Sequence, residues 1–176
     1  GTNEQFVLKE GRPGSGLDGQ NRDAVARLKQ EALILKRLKG LDCVAEYKEI
    51  FQAWEHTFLV EEYLPGTTLN TWLAAYFPFS DEQDSASYCK TVINILKQLK
   101  QAVKDIHSRG VGMGDLQPSN IIISESEDVK IIDFESASDL TDAKHSGLMT
   151  PGFTGSAKST REQADWFALL RIARHA

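Results

Sequence analysis

The chain opens on alternation. In Phe6-Val7-Leu8-Lys9-Glu10, Val7 and Lys9 share one face and Phe6 and Leu8 the other, which predicts a strand stopped by the glycine-rich residues 11–16. The period then lengthens. Across residues 22–39, Val25, Leu28, Ala32, Leu35 and Leu38 recur at steps of three and four, the stripe of an amphipathic helix that Gly40 ends. Strands are expected at 44–51 and 58–63 around a turn at 53–56, after which Leu64-Pro65-Gly66-Thr67-Thr68 breaks the pattern. The remainder is helix-rich: a short helix from Leu69 to Tyr76, a loop over 77–84, and a long helix from Ser85 to Ser108 with Val92, Ile95, Leu99, Ala102, Val103 and Ile106 on its buried face. Two β-branched runs, Ile121–Ile123 and 129–132, flank the polar residues 124–128 and predict a hairpin. Residues 136–160, rich in Ser, Thr, Gly and Asp, read as a long loop, and a last helix is expected over 161–175.

Several polar residues sit where this pattern calls for apolar ones, or where the predicted elements bring them together. Glu31 lies on the apolar stripe, three after Leu28 and four before Leu35, where an unpaired charge is costly. Lys9 on the preceding strand is its candidate partner; alternatively Glu31 lies at the margin of the stripe and snorkels into water. Hairpin ends meet, so Asn120, just before the first hairpin strand, and Asp133, just after the second, come side by side as oxygen ligands for a hard metal. Asp115, five residues before Asn120 with Pro118 stiffening the turn between, points a second carboxylate into the same place and is positioned to act as a base. Asp165 is either an ordinary first-turn acid or a buried acceptor for backbone donors of the Asp115 loop. His107 reads as a helix C-terminal residue favoured by the helix dipole, not as a ligand.

Composition narrows the class. A chain of 176 residues with 41% apolar content suits one domain, or one domain and a fragment of another. A net charge of −5 argues against a broad nucleic-acid or anionic-membrane surface, while leaving room for a local basic cleft. No run approaches a membrane span and no charged-then-apolar leader opens the chain, so the expected compartment is the cytoplasm, with no nucleic-acid or membrane partner. Cys43 and Cys89 are isolated from each other and from His, which speaks against zinc and for two free thiols.

A base, two oxygen ligands and a lysine held by a glutamate form a coherent set for phosphoryl transfer, which is mainly a matter of placement and charge neutralisation. Asp115 would accept a hydroxyl proton, Asn120 and Asp133 would share Mg²⁺ with phosphate oxygens, and Lys9, fixed by Glu31, would bind nucleotide phosphates. Each fragment is weak alone. Gly-Asp-Leu-x-Pro-x-Asn at 114–120, followed by Asp-Phe at 133–134, after a Val-Leu-Lys strand and a helix Glu, is strong because order and spacing agree.

On these residues the chain resembles a protein-kinase-like fold over nearly its whole length. More narrowly, Val-Leu-Lys-Glu-x-Arg-Pro, Asp-Ala-Val-x-Arg-Leu-x-x-Glu at 23–31, Ile-Asp-Phe-Glu and Thr-Pro-Gly-Phe resemble the kinase domain of class III and class IV lanthipeptide (lanthionine) synthetases. The resemblance implies an α+β fold with part of a small β-rich lobe at 1–63, a hinge at 64–68, and the first half of a helical large lobe at 69–176. The backbone of Glu62, Tyr63 and Leu64 would hold the base of ATP or another nucleoside triphosphate. It also implies a precursor peptide as substrate, phosphorylated on Ser or Thr, with lyase and cyclase domains on the same longer chain. Two alternatives stand beside it: a small-molecule kinase of the aminoglycoside or choline type, and a pseudokinase that only binds.

Departures from the ordinary protein-kinase pattern are informative. Met113-Gly114 replaces His-Arg before the base, so no arginine is expected there and regulation by loop phosphorylation is not expected. Gln117 stands where many protein kinases place a lysine, Glu135 replaces a glycine and should hinder a backbone flip, and Glu61 precedes the hinge where an apolar residue is more usual. A glycine-rich phosphate loop should precede the Lys9 strand, and the large lobe stops early, so the 176 residues are expected to be an excerpt that alone transfers phosphate poorly or not at all.

Overall fold

Period-two alternation makes the first sheet, in which β1 (Phe6–Gly11), β3 (His56–Glu62) and β2 (Tyr47–Ala53) lie in the order β1-β3-β2, all antiparallel. The computed structural model describes residues 4–78, 85–142, 150, 152, 153, 156 and 158–176. Lys9 faces Leu59 and Val7 faces Glu61, so Val7, Lys9, Leu59 and Glu61 share the inner face, and Thr57, Leu59 and Glu61 are its buried positions on β3. β2 starts at Tyr47, later than expected. Val44 instead forms a parallel bridge to Ile131, and Cys43 O accepts from Ile131 N at 2.7 Å, which ties this segment to the hairpin rather than to the first sheet.

Helix α1 (Ala24–Arg37) packs on the inner face of that sheet and buries Leu28, Glu31, Ala32, Ile34 and Leu35. Asp23 caps it, accepting from Ala26 N at 2.8 Å while its other oxygen accepts from Gly14 N at 2.9 Å. Gly11 lets the helix start close to β1, since a Cβ there would lie 3.0 Å from Ala24 O. The last residue of α1 reaches the rest of the chain: Arg37 donates to Arg109 O at 2.7 Å and Gly110 O at 3.0 Å, and pairs with Asp139 at 2.6 Å.

Beyond residues 64–66, which hold no regular element, β4 (Thr67–Thr68) pairs with the predicted hairpin of β6 (Ile121–Ile123) and β7 (Val129–Ile131). A two-stranded pair, β5 (Val111–Gly112) with β8 (Ser138–Asp139), lies at the start of the expected long loop. Most of the rest of that loop (143–149, 151, 154, 155 and 157) and residues 79–84 of the shorter one fall outside the described residues.

Helices α2 (Leu69–Tyr76), α3 (Ser85–Ser108) and α4 (Arg161–His175) have the expected bounds. Thr160 begins α4 with a capping box, in which its hydroxyl accepts from Gln163 N and Gln163 Oε1 accepts from Thr160 N. The six α3 residues expected to be buried are its buried residues, and they join α1, β5–β7 and α4 in one continuous apolar core. Cys43 and Cys89 are both free thiols. Among the described residues no helix is long and apolar enough to cross a membrane.

Candidate active site

β1 and α1 build one end of the site. Lys9 donates from Nζ to Glu31 Oε1 at 2.5 Å, and Glu31 is 1% exposed, so the expected strand-to-helix ion pair is present and the snorkelling alternative is not. The same oxygen accepts the Phe134 N–H at 2.9 Å. One carboxylate oxygen thus joins the lysine strand, the helix and the backbone beyond the hairpin.

Glu61, unexplained by the sequence, supplies a second carboxylate. Its Oε1 lies 3.2 Å from Lys9 Nζ, with the side chain buried beneath the sheet. Burial pulls the Lys9 ammonium down, but Glu31 and Glu61 outweigh it and hold the group above the ordinary lysine value. Burial pushes Glu31 up to about 7, opposed by Lys9 and reinforced by Glu61 and Asp133. Burial raises Glu61 as well. These directions are compatible: two carboxylates share one cation in the field of Asp133, so the ammonium is secured and the surplus negative charge falls on the paired acids.

The motif after the hairpin is tied to α1 twice. Asp133 has a left-handed backbone (φ 67°), supported by its own Oδ1, which accepts from Glu135 N at 3.3 Å. Phe134 is buried at 1% exposure and bonds Glu31, while Glu135, the residue in place of a glycine, pairs with Arg27 of α1 at 2.5 Å.

Asp115 forms the other end. Its Oδ2 accepts from Gln117 Nε2 at 2.8 Å and from Thr150 Oγ1 at 3.3 Å, and its Oδ1 accepts from Thr150 N at 3.0 Å. Its backbone oxygen accepts from Asn120 Nδ2 at 3.1 Å. That bond uses one of the amide's two N–H donors and leaves its oxygen as an acceptor. Ile132 N donates to Asn120 O at 2.9 Å, so Asn120 and Asp133 stand at adjacent strand ends as the hairpin predicted. Two oxygens of this kind suit Mg²⁺, which keeps substrate or water oxygens in most of its positions. Among the described residues no cluster of three or more His, Cys, Asp and Glu able to cage a metal occurs.

The loop carrying Asp115 hangs from α4. Asp165, 1% exposed, accepts Met113 N at 2.9 Å and Gly114 N at 3.0 Å, which decides between its two readings in favour of the buried acceptor. His107 Nε2 meets the same carboxylate at 2.8 Å and its ring stands edge-on to Trp166. His107 therefore has a specific partner beyond the helix dipole. Position 114 is a glycine, and an arginine from another element packs against it: Arg161, 2% exposed, arrives from α4 and donates to Ser138 Oγ at 3.0 Å. A Cβ on Gly114, at φ 79°, would lie 2.3 Å from its Nη1 and 2.7 Å from Ser136 O, so a side chain at 114 would force the guanidinium and the backbone at 136 to shift. Burial lowers the Arg161 pKa, and Asp142 and Asp165 oppose that shift.

Glu62 ends β3, with its N–H on Glu46 O at 2.9 Å, and Tyr63 and Leu64 come after it outside any regular element. A cavity of about 1030 Å³ lies elsewhere, against Trp72, Tyr76, Tyr88 and the hairpin turn, and holds none of these site residues. Sequence reasoning missed Glu61, Arg27, Gln117, Thr150, His107 and Arg161 as contacts of the site. Glu61 carried a usable signal, because it alternates with Leu59 and Thr57 on a buried strand face, the same kind of misplaced charge that marked Glu31.

Comparison with known proteins agrees with this geometry. The family model described as Protein kinase domain matches residues 1–169. The chain is 35% identical over 177 residues to Probable SapB synthase of Streptomyces coelicolor, covering 97% of this chain and 19% of that protein. It is 36% identical over 109 residues to the Probable cAMP-dependent protein kinase catalytic subunit of Encephalitozoon cuniculi, covering 61% of this chain and 31% of that one. It is also 35% identical over 118 residues to Serine/threonine-protein kinase cds1 of Schizosaccharomyces pombe, covering 67% and 24%. The chain spans less than a third of the length of these curated relatives. It belongs to the protein kinase domain family and so to the kinase-like phosphotransferases, on the α+β fold that the sequence implied.

Proposed function

We propose that this chain is the phosphoryl-transferring part of a larger lanthipeptide synthetase, moving phosphate from ATP or another nucleoside triphosphate to Ser or Thr hydroxyls of a precursor peptide. The observation that carries the reading is the Glu31 carboxylate, which holds both Lys9 and the Asp133-Phe134 backbone and so assembles a phosphate-facing cation and a metal-facing acid into one unit. The motif resemblance and the 35% identity to a synthase over 97% of the chain support the biosynthetic setting. In this reading residues 1–63 and 69–176 belong to two lobes joined by 64–68, and the backbone at Glu62, Tyr63 and Leu64 receives the base.

Bound between Asn120 and Asp133, Mg²⁺ would neutralise phosphate charge and polarise the transferring group. The remaining work falls to the chain. Lys9 binds the nucleotide phosphates, and Glu31 fixes its ammonium. Asp115 takes the proton of the attacking hydroxyl. Gln117 and Thr150 aim its carboxylate, and Asp165 holds the loop through Met113 and Gly114. A cavity of about 440 Å³ opens beside Gln117, lined in part by Asn70, Ser119, Phe153 and Arg174, and suits a substrate chain approaching the base. The lyase and cyclase domains of the same longer protein would process the phosphorylated peptide.

The test is incubation of the full-length protein with Mg²⁺, a nucleoside triphosphate and a Ser/Thr-containing precursor peptide, with mass spectrometry of the products. Phosphate or its elimination product on the peptide is the expected result. Transfer to an aminoglycoside or choline in preference to every peptide would replace the reading.

A further inference from the structure

We propose that Glu61 makes nucleotide binding in this cleft conditional on the divalent cation, by cancelling the charge with which Lys9 would otherwise attract bare phosphate. This rests on the nucleotide reading and concerns the same site. Strand register sets the contact. Lys9 pairs with Leu59, so Glu61, two residues further along β3, lies diagonally from Lys9 on the same face.

Glu61 is 3% exposed, and its Oε1 lies 3.2 Å from Lys9 Nζ. The shorter contact of the ammonium, at 2.5 Å, goes to Glu31. Lys9 is therefore already positioned by one carboxylate, and the second adds charge rather than geometry. Packing does not call for a carboxylate either. Leu59 is the neighbouring residue on the same face, and an apolar side chain of similar length would avoid the desolvation that burying an acid entails.

What Glu61 changes is the sign of the site. Lys9 pairs with Glu31 and Glu61 and lies in the field of Asp133. A polyphosphate arriving without metal meets a cation already faced by two acids, in a partly buried setting where charges are weakly screened. The same polyphosphate arriving as a magnesium complex brings the missing positive charge to Asn120 and Asp133. With Glu61 neutral, the metal-free anion is less strongly repelled and Lys9 is freer to meet it.

The experiment uses the full-length protein and measures the Kd of ATP and of GTP by calorimetry, in excess EDTA and in excess Mg²⁺, for the wild type, Glu61→Gln and Glu61→Met. The quantity read is the ratio of the metal-free Kd to the Mg²⁺ Kd. It is expected to fall at least tenfold in both variants, through tighter metal-free binding. A ratio unchanged within twofold in Glu61→Gln overturns the proposal, as does a fall caused only by weaker binding in Mg²⁺. Loss of binding in both arms by Glu61→Met with an unchanged ratio in Glu61→Gln would make Glu61 a packing residue and overturns it too. A wild type that binds neither nucleotide in either arm refutes the nucleotide reading itself, a result distinct from an unchanged ratio.

Discussion

Two buried carboxylates organise the molecule, Glu31 on α1 and Asp165 on α4, each 1% exposed, and they are held in opposite ways. Asp165 is surrounded by donors: two backbone N–H groups and the His107 ring, with Arg161 close by. Glu31 accepts from Lys9 and Phe134 N but shares the Lys9 ammonium with Glu61 and feels Asp133. A carboxylate ringed by donors behaves as a fastener, because removing it leaves several buried groups unpaired. A carboxylate crowded by like charge is costly to the fold, and its position is explained by what it holds ready for a ligand. The Asp115-loop end is thus built for rigidity, and the lysine end for charge.

Replacing Asp165 with Asn should cause the largest loss of stability. Two backbone donors and His107 lose a full acceptor set, and unfolding by denaturant should come earlier by about 2–4 kcal/mol. Glu31→Gln should do the reverse. Its amide oxygen can still accept from Lys9 and Phe134, and crowding with Glu61 is relieved, so stability should stay within about 1 kcal/mol while peptide phosphorylation falls tenfold or more. Equal destabilisation by the two variants would erase the distinction between fastener and charge holder.

The pattern of apolar positions made most of the fold legible, because long helices and a hairpin announce themselves by period. The Lys9–Glu31 pair was legible for the same reason, a charge on an apolar stripe. The start of β2 was not, since the apolar Val44 serves a bridge to Ile131, and sequence distance hides that pairing. Nor were the contacts of Arg161 and Thr150 with the Asp115 loop, which come from side chains 46 and 35 residues away along the chain. Gly114 and Glu61 were visible as oddities, and only packing explained them: one makes room for Arg161, the other reaches Lys9.

Smaller effects probe the lysine end alone. In the fold the Glu31 carboxyl sits at about 7, above its ordinary 4.5, so the folded chain keeps a proton that the unfolded chain has lost. The stability tied to that proton is fully present below about pH 4.5 and is lost as pH rises through about 7. Thermal melts from pH 5.5 to 8.5 should therefore show a decline on the order of 1 kcal/mol that flattens in Glu61→Gln, where one like charge is gone; a wild type indifferent to pH in that range would contradict the crowding. Smallest of all, Glu135→Gly removes the partly exposed pair with Arg27 and should cost less than about 1 kcal/mol, measured by the same melts. Its larger consequence would be faster hydrogen exchange at Phe134 and Glu135 as the motif gains backbone freedom.

Asp115→Asn in the full-length protein bears on the assignment from which the rest descends, that these residues form a phosphoryl-transfer site with Asp115 as its base. Peptide phosphorylation should fall by about 10²–10⁴-fold while the affinity for the nucleotide with Mg²⁺ changes less than threefold. Phosphorylation that persists at the wild-type rate in this variant would contradict it.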